Sequence, residues 1–176
     1  MSDQLPETIK PQSLVDTGGS ISGVIALAKM KRLASLLVNS EGLVETQLEF
    51  ARDVQGNRLV HGVITTELPL ICQRCLETVR YPVNVELSLA LIANADQMDR
   101  LPESYDPLVL DSPSLSLTEL VEDELLLALP IVAMHTQAEC NANLAEIDDS
   151  ETESSDEEPH PFAALAQLKG KLDSTH

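Results

Sequence analysis

Hydrophobic and polar residues alternate over long stretches in the first half of the chain, a pattern typical of strands that bury one face. The pattern covers residues 20–25 and then the runs Val44 to Arg52, Arg58 to Ile71 and Val79 to Ile92. A group of turn residues, Gln55-Gly56-Asn57, separates the second run from the third, which predicts a hairpin. The runs together predict an antiparallel sheet whose strands follow one another as a meander.

Hydrophobic residues at helical spacing predict helices that pack on this sheet. The first set consists of Leu27, Met30, Leu33, Ala34 and Leu37. A second helix is predicted from Ser116 to Leu129, because Ser116 and Glu119 form a capping box and Pro130 ends the pattern. The predicted fold class is therefore α+β, with two or three helices on an antiparallel sheet.

The second predicted helix carries three consecutive carboxylates, Glu122, Asp123 and Glu124. At 100° per residue, Glu122 and Asp123 are predicted on the side opposite the apolar face, where water solvates them. Glu124 is predicted to point toward the apolar face, where an unpaired carboxylate is costly. It therefore needs a base such as Arg74 or another arginine, a backbone donor, or a partner.

The composition predicts four segments along the chain. They are a flexible leader at residues 1–19, a single α+β domain at 20–144, an acidic disordered linker at 145–159 and a C-terminal amphipathic helix at 160–176. The leader is polar and interrupted by Pro and Gly, and the linker holds eight acidic residues and no basic one. The apolar positions of the last segment are Phe162, Leu165 and Leu168.

The balance of charge favours a basic partner. The 176 residues include 29 acidic and 11 basic ones, for a net charge of -18, so the surface as a whole repels phosphate. With no Trp, two Phe and two Tyr, the chain also lacks the aromatic platforms on which single-stranded bases stack. DNA binding and broad RNA binding are therefore disfavoured.

The sequence predicts neither an export signal nor a segment that crosses a membrane. The first ten residues lack the charged and apolar regions of a signal peptide. The longest apolar run, Leu125 to Ala133, is interrupted by Pro130 and is too short to cross a bilayer. We therefore expect a cytoplasmic protein with no membrane association.

Three cysteines and one histidine are the candidate metal ligands. Cys72 and Cys75 form a CxxC pair at the turn between two predicted strands, and His135 with Cys140 completes a Cys3His set that suits tetrahedral zinc. Two alternatives stay open, namely reduced thiols without a ligand and a redox pair. The redox pair fits less well, since thioredoxin-like pairs begin a helix, whereas strands are predicted on both sides here.

Several short motifs in a fixed order resemble the YceD family. They are residues 72–76 (CQRCL), 101–107 (LPESYDP) and 121–130 (VEDELLLALP), then His135 and Cys140, and finally residues 161–169 (PFAALAQLK). The resemblance implies a bacterial protein, with chloroplast relatives, that is needed for the accumulation of 23S ribosomal RNA through its synthesis, processing or stability.

The resemblance and the charge together lead to the hypothesis of a non-catalytic ribosome biogenesis factor that binds a basic ribosomal protein or a pre-large-subunit particle. The candidate partner-binding residues are Glu122, Asp123, Glu124, Phe162, Leu165 and Leu168. One alternative is direct contact with 23S RNA through a local basic surface. Its candidate residues are Lys29, Lys31, Arg32, Arg74 and Arg80.

The other alternative is an RNA-processing hydrolase that uses a metal ion and the carboxylates of residues 122–124. Against it, the chain has no phosphate-binding loop, no Gly-rich dinucleotide turn and no G-x-S-x-G elbow. First-turn and surface carboxylates on a helix need no catalytic role, because they favour the helix dipole and solubility. The chain is therefore predicted not to be an enzyme.

Overall fold

The structure, a computed structural model, describes residues 5–136 and 139–140 of the chain. The predicted acidic linker and the predicted C-terminal helix, with Phe162, Leu165 and Leu168, lie outside these residues. The strands are β1 (Thr8–Ile9), β2 (Ser20–Ala26), β3 (Leu43–Arg52), β4 (Arg58–Ile71), β5 (Thr78–Ile92), β6 (Asp106–Val109) and β7 (Leu115–Ser116). The α-helices are α1 (Pro11–Thr17), α2 (Lys31–Ala34) and α3 (Leu117–Leu127).

A sheet in the order β2-β3-β4-β5-β6 forms the body of the described residues. Strands β2 to β5 pair antiparallel as a meander, and Ile64 on β4 lies opposite both Thr46 on β3 and Val85 on β5. The alternation in the sequence produces this pairing, because each strand buries every second side chain. The prediction of an α+β fold built on an antiparallel sheet is confirmed.

The strand β6 was not predicted, since residues 99–113 have the Pro-rich pattern of a loop. It pairs parallel with β5, with Leu91 opposite Leu108, after a 3₁₀ turn at Ala95–Arg100. The sheet is therefore mixed at this edge. The strand has only four residues, which is too short for a clear alternation of apolar and polar positions.

One face of the sheet is covered and holds the core. Val44, Leu48, Phe50 and Ile64 are almost fully buried there, while Glu45, Gln47 and Glu49 between them on β3 are exposed. Helix α3 contributes the buried residues Leu117, Val121 and Leu125 to the same core. The opposite face of the sheet is left polar and carries several carboxylates.

The flexible leader predicted at residues 1–19 is wrong for residues 5–19. Strand β1 pairs with β7, and helix α1 starts with Pro11 in its first turn and ends at Gly18, which adopts φ 63°. Ile9 and Val15 are buried. The sequence gives little sign of this packing because a two-residue strand and a two-turn helix bury too few residues to produce a period.

Two helix predictions need changes in length. The helix predicted from Leu27 to Leu37 is a 3₁₀ turn at Leu27–Lys29 followed by the single turn α2. The predicted start of α3 is confirmed, since Ser116 Oγ accepts a hydrogen bond from the Glu119 N–H at 3.3 Å, but α3 ends at Leu127 rather than Leu129. No helix among the described residues is long and apolar enough to cross a membrane.

Candidate metal centre

The turn between β4 and β5 presents Cys72 and Cys75, as the sequence predicts. Two backbone hydrogen bonds close it, from Cys72 N–H to the Glu77 carbonyl at 2.8 Å and from Leu76 N–H to the Cys72 carbonyl at 2.9 Å. Leu76 adopts φ 62°, in the left-handed region that costs a non-glycine residue about 1–2 kcal/mol. This conformation closes the turn so tightly that backbone N–H groups face the Cys72 sulfur.

The chain that follows α3 returns to this turn. Gln73 N–H donates to the Ala133 carbonyl at 2.9 Å, and His135 N–H lies 3.5 Å from the Cys72 sulfur. The buried side chain of Ala133 anchors the returning segment in the core. These contacts bring His135 next to cysteines that lie about sixty residues earlier in the sequence.

Cys72, Cys75, His135 and Cys140 meet as one group, with their ligand atoms all within 4.8 Å of one another. The Cys75 sulfur lies 3.3 Å from His135 Nδ1. Ligands around a tetrahedral zinc ion at about 2.3 Å would be separated by about 3.8 Å, so a small contraction suffices. The donor set, three thiols and one imidazole, is one that structural zinc sites use.

A second contact fixes the orientation of the His135 ring. Its Nε2 lies 3.2 Å from the Thr78 carbonyl oxygen, which accepts only if Nε2 carries the proton. Nδ1 is then free to bind a metal ion. Metal-bound histidines in general use their other ring nitrogen in this way.

The backbone stabilises the thiolate form of Cys72. Hydrogen bonds from the N–H of Cys75 in particular, and from those of His135 and Arg74, lower the pKa of the Cys72 thiol to about 5, although burial opposes the shift. Contacts with Cys72 and Cys75 in turn raise the pKa of His135. Because the thiolate is the form that binds metal ions, the turn is preorganised for a cation.

Arg74 holds the last member of the group. Its Nε donates to the Cys140 sulfur at 2.8 Å and its Nη2 to the Thr136 carbonyl at 3.1 Å, and the bond to Cys140 raises the pKa of Arg74. The sequence suggested a pair between Arg74 and Glu124, but Arg74 contacts Cys140 and Thr136 instead. The sequence gives one sign of this role, its place inside the CxxC pair.

The buried carboxylate of α3 is Glu122 rather than Glu124. Glu122 Oε1 accepts from the N–H of Arg32 at 2.7 Å and of Leu33 at 3.1 Å, and its Oε2 lies 2.9 Å from Arg32 Nη2. This corrects the prediction that placed Glu122 in solvent. The prediction considered only the sheet as a neighbour, whereas α3 also packs against α2.

The other two carboxylates of the trio differ from each other. Asp123 is exposed and lies 2.7 Å from Arg32 Nη2. Glu124 is half-buried, and burial first, then the charges of Asp106 and Asp123, raise its pKa. The three carboxylates do not form a metal site, since the Cys3His group is the one such cluster found within the described ranges.

Comparison with known proteins matches the chain to a family model and to curated relatives. The family model described as "Large ribosomal RNA subunit accumulation protein YceD" matches residues 60–169. A protein of Haemophilus influenzae with the same name is 34% identical over 170 residues, covering 96% of this chain and 98% of the relative. No solved structure matches the chain.

Proposed function

The chain belongs to the YceD family, and on that premise we propose that it supports the accumulation of large-subunit ribosomal RNA in the cytoplasm, where ribosomes assemble. The observation that carries this proposal is the 34% identity that extends over nearly the whole length of both chains. The matched length spans both the sheet and the segments that carry the cysteine cluster. A match confined to one part of the two chains would support the proposed function less.

The Cys3His group supports a role for zinc as a structural ion. Cys72, Cys75, His135 and Cys140 would supply all four ligands of a tetrahedral ion, and structural sites are closed in this way, whereas catalytic zinc keeps a position for water. The bound ion would tie the β4–β5 turn to the segment after α3. Three thiolates around Zn²⁺ leave one negative charge, which the guanidinium of Arg74 balances.

We assign no catalytic step to the protein. Glu122, the buried member of the carboxylate trio, is held by the Arg32 guanidinium and by the backbone N–H groups of Arg32 and Leu33, so its lone pairs are occupied and cannot serve acid–base work or metal binding. The hydrolase alternative therefore loses one of its three carboxylates. A binding role in ribosome biogenesis fits the remaining features.

A basic ribosomal protein or a pre-large-subunit particle is the partner that the charge favours. The open face of the sheet presents Glu45 and Glu49 on β3 and Glu86 on β5, all exposed, and the chain has a net charge of -18. Attraction between exposed charges accelerates encounter and weakens as salt screens it. Asp123 and Glu124 lie on α3, on the other side of the sheet, and add to the acidic charge of the chain.

Ribosomal proteins that co-purify with the tagged full chain are expected to dissociate as salt rises from about 0.1 M to 1 M, over which the Debye length falls from about 10 Å to 3 Å. Quantitative mass spectrometry of the eluates measures this. The matched variant Glu45→Gln/Glu49→Gln/Glu86→Gln is expected to retain less of the same proteins at low salt. Capture that neither salt nor these substitutions change argues against an acidic docking face.

Deletion of the gene is expected to lower the ratio of 23S to 16S ribosomal RNA in total RNA. Wild-type complementation restores the ratio, and so does the control Gln73→Ala, which alters the CxxC turn without removing a sulfur. Cys72→Ala restores it poorly, because the turn loses its buried ligand. An unchanged ratio in the deletion strain contradicts the proposed function, whereas full rescue by Cys72→Ala keeps the function and removes the cysteine cluster from it.

A further inference from the structure

A pocket lined by arginines lies at one end of the sheet, away from the cysteine cluster in the sequence. Arg52 ends β3, Arg58 begins β4 and Arg100 ends the 3₁₀ turn after β5, and all three line one cavity of about 380 Å³. They are half of the six arginines in a chain whose net charge is -18. Such a local concentration of positive charge opposes the general trend of the surface.

The placement of two of these arginines is unfavourable without an anion. Arg52 and Arg58 lie directly opposite each other in the β3–β4 register, and like charges at such positions repel. Asp16 relieves this in part, since its Oδ1 lies 2.6 Å from Arg52 Nη2. The Nε of Arg58 is buried without a hydrogen-bond partner, a state that is costly for a charged donor.

The carboxylate in the β3–β4 turn is already engaged. Asp53 accepts hydrogen bonds from Gln55 N–H, Asn57 N–H and Asn57 Nδ2, all at 2.8 Å or less. Within residues 5–136 and 139–140, neither Arg58 nor Arg100 forms a salt bridge with a carboxylate. Two guanidinium groups therefore retain donors for a group from outside this part of the chain.

The remaining lining suits an oxyanion on an apolar floor. Gln97 Oε1 accepts from the Ala93 N–H at 3.0 Å, which leaves its amide nitrogen as a donor. Leu91, Ile92 and Leu101 form the apolar part of the lining. Arginine donates two parallel hydrogen bonds to phosphate, and these charge-assisted bonds are stronger than neutral ones.

We propose that the pocket formed by Arg52, Arg58 and Arg100 binds a phosphate group of RNA. The choice of RNA as the source of the phosphate rests on the proposed function, while the choice of phosphate rests on the arginines alone. A phosphate contact positions a protein on RNA without reading its sequence. This fits a chain with almost no aromatic residues on which bases would stack.

Filter binding of the full chain to labelled transcripts that tile 23S RNA tests the proposal. Arg100→Ala, on an exposed turn, and Arg58→Ala are each expected to weaken binding about tenfold, as for the loss of a charge-assisted hydrogen bond. Each is also expected to lower the slope of log affinity against log salt by about one. The control Lys10→Ala removes one positive charge from an exposed site outside the pocket and leaves binding unchanged.

Three outcomes would overturn the proposal. The first is equal binding by wild type, Arg58→Ala and Arg100→Ala, or no binding by wild type. The second is a loss of transcript binding with Arg58→Ala alone, accompanied by a lower melting temperature. In that case Arg58 stabilises the fold and does not contact RNA. The third is stabilisation of wild type by inorganic phosphate, abolished in both variants, while transcripts bind all proteins equally. In that case the pocket takes a free anion.

The outcome for the pocket is distinct from the outcome for the proposed function. If the deletion lowers the ratio of 23S to 16S RNA and the double variant Arg58→Ala/Arg100→Ala restores it fully, the function stands and the RNA assignment of the pocket fails. If the deletion leaves the ratio of 23S to 16S RNA unchanged, the proposed function fails. Transcript binding that depends on the two arginines still supports the pocket in that case.

Discussion

Purified wild-type protein is expected to carry one zinc ion per chain, and removal of that ion by a chelator is expected to lower the melting temperature by about 10 °C or more. Free zinc at about a thousand times its Kd adds about 4 kcal/mol to the folded state, and each kcal/mol shifts the melting temperature by a few degrees in a chain of this size. Elemental analysis of protein purified without chelator gives the stoichiometry. Circular dichroism melts with and without chelator give the shift.

Substitutions in the cysteine cluster separate zinc from other roles of the thiols. Cys72→Ser and Cys140→Ser are expected to lose the ion and to melt at the temperature of the chelated wild type. Gln73→Ala is expected to keep the ion and the melting temperature of the untreated wild type. Chelator is then expected to have no further effect on the two serine variants. Less than one metal ion per wild-type chain, together with a melting temperature that chelator does not change, contradicts the zinc site. A Cys72–Cys75 disulfide in that protein would support the redox alternative instead.

The sequence predicts those elements whose pattern is long. The strands β3, β4 and β5 span 10 to 15 residues each, so that the alternation imposed by one buried face is repeated many times. The position of Cys72 and Cys75 follows from these strands, because a CxxC pair between two long strands has to lie in the turn. The capping box predicts the start of α3 for a local reason, a hydrogen bond within one turn.

Features that depend on contacts between distant segments escape this kind of reasoning. The proximity of His135 to Cys72 is set by backbone hydrogen bonds between the CxxC turn and residues 133–135, and no spacing in the sequence encodes them. The arginine pocket has the same origin: Arg52 and Arg58 are close in the hairpin, but Arg100 arrives from beyond β5. The short β1, α1 and β6 are stabilised by packing rather than by their own pattern.

Replacement of Glu122 by Gln is expected to lower the free energy of unfolding by about 2–3 kcal/mol at pH 7, as for a hydrogen-bonded charge in a buried site. Glu122 is 5% exposed and joins α3 to the Arg32–Leu33 turn through two backbone N–H groups and the Arg32 guanidinium. The amide of Gln keeps one acceptor but turns its NH2 group toward Arg32. Urea denaturation of the full chain measures the change.

Two neighbours on the same helix serve as controls for Glu122. Asp123→Asn removes the exposed partner of Arg32 and is expected to cost less than about 1 kcal/mol, as exposed ion pairs do. Glu124→Gln is expected to raise stability at pH 7, because burial raises the pKa of Glu124 and so disfavours its charged form in the folded state. Equal effects of all three substitutions would contradict the distinction between these sites.

The dependence of the Glu122 effect on pH has a definite sign. Burial would raise the pKa of the Glu122 carboxyl, but the hydrogen bonds from Leu33 and Arg32 outweigh it and hold the pKa below its ordinary value of 4.5. The contribution of the charge is therefore fully present above pH 4.5 and is lost as pH falls through the lower pKa of the folded state. We expect the stability difference between wild type and Glu122→Gln to shrink over that interval. A difference that stays constant on acidification would mean that shape, and not charge, makes Glu122 necessary.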